Sequence, residues 1–387
     1  MNRQDFWSDA PGRLIPVQTP RGGDWSFLPF DLPPNWVFDA SLWPLLVQAK
    51  EALGTLNGIG QTLGDPRLLL SPLQNREAIT SSIIEGTYVT PEQLLLFDLD
   101  PDEETDSAEH RADRVEVANY GRSLRRGLKL LESLPICIRV IREMHETLMQ
   151  GVRGESKDPG RFRTLQVQVG TDGRFMPPPA SDIERLMRNL ERYANSEGGL
   201  DPLVRSFIIH YQFETIHPFL DGNGRVGRAL LALMIQKLHG HAHPWLYLSA
   251  YFEQYKDDYI RNLYRISTEN NWVRWIEFCL HGALHQARDS IRRCARFNVL
   301  RAEFHHRVKQ PSPRTHQLID ELFREPITTI TATAAKHAIT YPTAKKDLEL
   351  LVEARIIAEL QNRRPKAYGC LELLQAAYDI PGDERNS

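Results

Sequence analysis

Cysteine is scarce in this chain of 387 residues: Cys137, Cys279, Cys294 and Cys370 stand far apart and form no Cys-x-x-Cys pair. That spacing indicates neither a disulfide framework nor a zinc finger. No apolar run approaches the ~20 residues that a membrane-spanning helix needs. The opening residues, Met1-Asn2-Arg3-Gln4-Asp5-Phe6-Trp7, lack the charged-then-apolar order of a secretion signal. Neither sign of charge is in excess, since 47 Lys and Arg against 50 Asp and Glu leave a net charge of -3. That balance carries no global nucleic-acid signal. Repeats and low-complexity tracts are missing too. What remains is a globular protein with no membrane contact, expected in the cytoplasm.

The hydrophobic content of 41% in a chain this long can bury a substantial core and predicts more than one domain. Residues 1–40 are rich in Pro, Gly and Trp and read as an extended surface arm. Apolar residues at three- and four-residue spacing then predict helices over 42–63, 73–85, 108–134, 136–149 and 183–196, so the fold class is mainly α. Residues 163–175 break that pattern: Leu165, Val167 and Val169 alternate with polar residues before Thr171-Asp172-Gly173, the signature of a β-hairpin. Such a hairpin either accepts an extended target segment by strand addition or simply covers the core. A boundary is expected at Gln310-Pro311-Ser312-Pro313. Beyond it, helices over 315–324, 330–337 and 342–353 precede a hairpin over 356–360 and 362–368 with a basic tip, Asn362-Arg363-Arg364-Pro365-Lys366. That order is winged-helix-like, with Thr343, Lys345 and Lys346 on the would-be recognition helix. Asp347, Glu349 and Glu353 dilute its positive charge, so DNA contact and protein contact both stay open.

The densest chemistry lies in His217-Pro218-Phe219-Leu220-Asp221-Gly222-Asn223-Gly224-Arg225-Val226-Gly227-Arg228. Leu203, Phe207 and Tyr211 mark a helix that Pro218 ends, and 229–235 is again helical, so the run is a loop entering a helix N-terminus. Unpaired N–H groups and the positive end of the helix dipole favour an anion there, and Gly222 and Gly224 let the backbone approach it. Arg225 and Arg228 share the first turn, where cations oppose the dipole and call for negative partners. A magnesium-complexed polyphosphate suits this inventory. The spacing of His210, Glu214 and His217 is not a recognised zinc pattern, so His210 and Glu214 read as packing or orienting groups. A second feature is Ser81-Ser82-Ile83-Ile84-Glu85-Gly86, at the end of a helix that is expected to begin near Pro72. Gly86 suits the helix C-cap, and Glu85 sits at the negative helix end, unfavourable unless a cation is near.

The 217–228 run resembles the signature of the Fic family, His-Pro-Phe-x-Asp/Glu-Gly-Asn-Gly-Arg-x-x-Arg, with every defined position filled. Similarity extends to Gly160-Arg161-Phe162-Arg163, to 167–170 and to Phe175-Met176-Pro177-Pro178-Pro179, which look like the segment around the family's substrate-docking flap. Residues 246–259, ending in Tyr259, look like the segment behind the nucleotide pocket, so the resemblance covers roughly residues 70 to 290. Residues 81–86 resemble the family's inhibitory motif, Ser/Thr-x-x-x-Glu-Gly/Asn, in its N-terminal version.

The resemblance implies a Fic-type helical core with a small hairpin flap, and transfer of AMP from ATP to a Ser, Thr or Tyr hydroxyl of a target protein or of the chain itself. In that reading His217 is the general base, and Asp221 holds Mg²⁺. Phe219, Leu220, Gly222, Asn223, Gly224, Arg225, Arg228 and Tyr259 bind the nucleotide. Glu85, with Ser81, pairs with Arg228 and blocks placement of the γ-phosphate. The target would dock on the 163–175 hairpin. Residues 1–110 would carry the inhibitory motif, 111–300 the catalytic core and 312–375 the winged-helix-like domain. Homodimerisation stays open, as do another nucleotide donor, removal of AMP, and a DNA-binding regulator whose core only senses nucleotide.

Overall fold

At the centre of the molecule lies a helix buried on every side, Pro202–Ile216. Phe207, Ile208, Ile209 and Phe213 are fully enclosed, the pattern of a helix packed all round rather than amphipathic. Asp201 starts it, its side chain accepting from the Leu203 N–H, with Pro202 in the first turn. It ends at His217, whose φ of 49° is left-handed. A short turn leads through Gly222, at φ 74°, into the helix Asn223–His239. These two helices pack on each other. Ala108–Leu131 and Ile138–Leu148 flank the second; Ala180–Ala194, Lys256–Glu269 and Trp272–Arg307 flank the first. The fold is mainly helical, with two small antiparallel sheets among the described residues.

The computed structural model describes residues 1–19, 22–62, 65–101, 108–152, 157–170, 173–309, 311–361 and 366–378. Among them, no helix is long and apolar enough to cross a membrane.

Three expectations need correction. The helix ending in the inhibitory segment is Arg67–Ile84, so Pro72 lies inside it rather than at its start. Proline removes one backbone N–H there, but its ring is buried with Leu69, Leu73 and Ile79, and packing outweighs the lost bond. The N-terminal 40 residues are not only an extended arm. Strands Gly12–Thr19 and Gly22–Pro29 pair from Gly12 opposite Pro29 to Thr19 opposite Gly22. Their anchor is long-range: Phe27 is buried, its N–H donates to the Met176 carbonyl at 2.9 Å, and the Ser26 hydroxyl to the Pro177 carbonyl at 2.6 Å. Finally, the 163–175 segment is not a laddered hairpin. Its described residues make a single bridge, Val169 to Phe175, while the Arg163 backbone N–H pairs outside the segment, with the Pro218 carbonyl. Arg163 Nη1 donates to the Leu165 carbonyl and Gln166 Nε2 to that of Pro177. Thr171 and Asp172 of the expected turn lie outside the described residues, as does Gln310.

The C-terminal part follows the expected order, with helices Pro313–Leu322, Ile330–Lys336 and Tyr341–Glu353. Its sheet has an additional strand, Ile327–Thr329, beside Ala367–Gly369, which also pairs with Ala358–Glu359. Residues 362–365 of the expected basic tip lie outside the described residues. On the expected recognition helix, Lys345 faces Glu349 at 3.7 Å, and Asp347 takes Arg314. A final helix, Leu371–Tyr378, packs back against Arg67–Ile84.

Candidate functional site

A cavity of about 920 Å³ opens beside the 217–228 turn, a size typical of small-ligand sites. His217, Gly224, Arg228, Glu85, Tyr259 and Ile260 are among its lining residues. The start of the Asn223–His239 helix has no side-chain cap, so its first N–H groups are left for an anion.

His217 is positioned by its left-handed backbone. Its Nδ1 lies 3.3 Å from the Glu214 carbonyl, which can only accept, so Nδ1 carries the proton and Nε2 keeps its lone pair. Burial pushes the imidazole down to about 4; the Glu214 carbonyl opposes this, and the Arg163 charge adds to it. A neutral imidazole at pH 7 can accept a proton. Arg163, which periodicity did not single out as functional, staples this corner. Its Nε donates to the His217 carbonyl at 2.8 Å and its Nη2 to that of Pro178 at 2.6 Å.

Arg228 is buried and fully engaged. Its Nη2 meets Glu85 Oε1 at 2.8 Å, its Nε donates to the Ser81 hydroxyl at 2.9 Å, and its Nη2 also to the Ser81 carbonyl. Burial works to raise the Glu85 carboxyl, but the Arg228 charge and hydrogen bond outweigh it and hold it low. Glu85 ends its helix and Gly86, at φ 92°, follows it. The cation that the Glu85 position called for is therefore Arg228, joined by Lys256, whose ammonium donates to the Ile84 carbonyl at 2.5 Å. Gly224 makes the contact feasible: a Cβ there would lie 2.3 Å from Glu85 Oε1.

The remaining motif residues face elsewhere. Arg225 is buried beside Glu116 at 3.2 Å and Asp221 at 3.7 Å, and Glu116 also accepts from the Thr87 hydroxyl. Asp221 takes the Lys157 ammonium at 2.7 Å and the N–H of Gly222 at 2.7 Å. Two residues expected to contact nucleotide have their side chains engaged at the loop. Phe219 is fully buried and stacks on His145 at 3.7 Å, under the loop rather than in the cavity. Asn223 uses both side-chain ends on the Phe219 backbone, at 2.8 and 2.9 Å, so it ties the loop instead of presenting a free amide. Leu220 and Gly222 are not among the cavity-lining residues, and Tyr259 is.

His145 completes the loop support, taking the Gly160 N–H on Nδ1 at 2.8 Å and approaching the Asp221 carbonyl with Nε2 at 3.0 Å. His210 has both ring nitrogens engaged, with the Gly227 carbonyl and the Tyr259 hydroxyl, as an orienting group would. Glu214 departs from that reading, since it lines the cavity.

The left-handed His217 and Gly222 flank the turn, and the sequence matches give the class of the domain that carries it. Residues 135–235 match the Fic/DOC family and residues 43–129 the Fic/DOC family N-terminal region. The chain thus carries a Fic/DOC domain preceded by that N-terminal region. Curated relatives include the protein adenylyltransferases Fic of Drosophila erecta, 36% identical over 110 residues, and of Drosophila ananassae, 34% identical over the same length. These matches cover 28% of this chain, and the chain spans only 21% of those relatives' length. Among solved structures, a Fic family protein from Desulfovibrio desulfuricans G20 aligns with a TM-score of 0.58 at 22% identity, covering 87% of this chain and 97% of its own. Fic-1 from C. elegans aligns with 0.54 at 21%, covering 65% and 72%. At those identities the structural likeness speaks for the fold.

Proposed function

We propose that this chain is a protein adenylyltransferase that moves AMP from ATP to a hydroxyl side chain of a target protein, itself included, and that Glu85 restrains it. The observation that carries the reading is one cavity lined by a neutral histidine, a glycine at a helix start and an arginine paired with the Glu85 carboxylate. The adenylyltransferase name of the curated relatives supports it.

In this mechanism Nε2 of His217 takes the proton of the incoming hydroxyl. The freed oxygen bonds to the α-phosphorus, the bridging bond to the β-phosphate breaks, and its electron pair leaves with pyrophosphate. N–H groups at the helix start stabilise the charge that develops. Arg228 takes the outer phosphates once Glu85 releases it; Arg225, held by Glu116 and Asp221, shapes the turn from behind. Tyr259, tied to His210, lines the same cavity. For Mg²⁺, the residue that fits is Asp221, because its carboxylate already holds one cation, the Lys157 ammonium. A single carboxylate suits an ion otherwise held by phosphates and water, whose contribution is to neutralise phosphate charge.

In the same reading residues 1–110 carry the restraint, 111–300 the chemistry and 312–375 partner selection, with the target docking along 163–175. The test is incubation with ATP labelled at the α- or the γ-phosphate, with Mg²⁺. Protein-bound label from the α-position alone is expected; label from the γ-position would make the protein a kinase instead.

A further inference from the structure

One carboxyl oxygen in the cavity wall has no partner. Glu214 sits one turn before His217 and lines the cavity, and its Oε1 is buried without a hydrogen bond. The carboxyl lies against the first turn of the anion-binding helix, so close that a Cβ on Gly227 would be 2.1 Å from Oε1. Glycine at 227 is what leaves it room. A buried carboxylate oxygen without a donor is costly, which favours the protonated form, and the O–H of that form then needs an acceptor.

The charged and titratable groups around it come from four elements. Arg228 belongs to the anion-binding helix, Glu85 to the end of the inhibitory helix, Tyr259 to the helix Lys256–Glu269, and His210 and His217 to its own helix and the turn after it. Arg228 directs its bonds to Ser81 and Glu85. Burial raises the Glu214 carboxyl to about 7, the Arg228 charge opposing and the Glu85 charge adding. Its neighbours titrate elsewhere: burial takes His217 to about 4 and His210 to about 3, and drives Tyr259 far above the tyrosine range. Glu85 is held low and Arg228 high. In this set, Glu214 alone changes charge near neutrality.

We propose that Glu214 is a nucleotide-positioning residue that works as an acid, its protonated carboxyl donating a hydrogen bond to a phosphate oxygen held at the Gly224–Arg228 turn. The inference rests on the nucleotide site proposed above and adds to it a residue and a proton. Ionised phosphate oxygens bring lone pairs and no hydrogens, so an ionised Glu214 only repels them, whereas the acid form donates. A ribose hydroxyl is the opposite case, since it donates to a carboxylate. The place of Glu214 against Gly227, beside Arg228, puts it at the phosphate end. The two cases have opposite pH signs.

The test uses the full chain with Glu85→Gly, so that the resting ion pair does not compete, and measures calorimetric affinity for α,β-methylene ATP from about pH 4.5 to about pH 8.5, spanning the ordinary and the raised carboxyl. Affinity is expected to fall as pH rises through the Glu214 titration, which loss of the Glu85 charge moves below the about 7 of the wild-type protein, by at most about tenfold per unit, the limit for one linked proton. Adding Glu214→Gln keeps an N–H donor at every pH, so the drop should be lost. The ratio of the two affinities at each pH cancels titration of the ligand's own phosphate. A ratio that does not change with pH overturns the proposal. So does a Gln variant that binds more weakly at every pH, which would assign Glu214 to a sugar hydroxyl. Adenosine provides a readout that needs no change at Glu214: its affinity should lack the pH term, and an equal term for adenosine also overturns the proposal. Absence of binding by every ligand at every pH would overturn the nucleotide site itself.

Discussion

Arg225 and Arg228 stand one turn apart on the same helix, yet the molecule treats them in opposite ways. Arg225 is held by Glu116 and Asp221 at the back of the turn. Arg228 looks into the cavity, and its carboxylate partner comes from the end of a helix 143 residues earlier in the chain. One arginine is part of the scaffold; the other lines the cavity and is, in the proposed function, the binding group that Glu85 occupies. The same division runs through the motif, with His217 and Gly224 on the cavity face and Phe219 and Asn223 beneath it.

That division is broken most severely if the cavity face is not where the chemistry occurs. His217→Ala should lower AMP transfer by roughly 10²- to 10⁴-fold while ATP binding, measured calorimetrically, stays close to wild type. Asp221, outside the cavity lining and paired with Lys157, should behave differently. Asp221→Ala is expected to weaken Mg²⁺-dependent tightening of ATP binding by at least the roughly 10- to 100-fold that losing even an outer-shell partner costs a metal site. A variant with unchanged Mg²⁺ dependence would move the metal to another residue. Beneath the turn, Asn223→Ala should act on stability, costing about 1–3 kcal/mol in denaturant unfolding, because it strands a buried N–H and a carbonyl of Phe219. Asn223→Asp keeps the acceptor and should recover part of that loss.

The smallest effect is on pH. In Glu85→Gly protein, where protonation of Glu85 plays no part and its charge no longer raises His217, the acid limb of kcat/KM should fall with a midpoint at or below about 4, where burial holds His217, instead of near 6.5. Activity is retained above that midpoint, since the base works unprotonated, and is lost below it. A midpoint near the ordinary histidine value would mean that the base is exposed in the working enzyme.

Much of this site was legible in sequence because it is local: the helix before His217, the glycine-lined turn and the helix after it are neighbours in the chain. The meeting of Glu85 with Arg228 entered through the resemblance, while periodicity alone supplied only a carboxylate at an unfavourable helix end. What escaped was set by distant packing. Phe27 pairs its N–H with Met176, Lys256 reaches the Ile84 carbonyl, and Asn223 turns inward to Phe219. None of these leaves a mark in residue spacing. Pro72 misled for the related reason that a local helix breaker is tolerated where its ring is buried. Glu214 read as an orienting group because nothing in its spacing reveals that one oxygen lacks a donor.

The central claim, that Glu85 restrains a working transferase through Arg228, is tested most directly by autolabelling with α-labelled ATP and Mg²⁺, comparing wild type with Glu85→Gly and with Glu85→Gly combined with Arg228→Ala. The single variant should label more strongly than wild type and the double variant should show no gain, since the released partner is gone. Labelling by Glu85→Gly no stronger than wild type at any ATP concentration would contradict the claim.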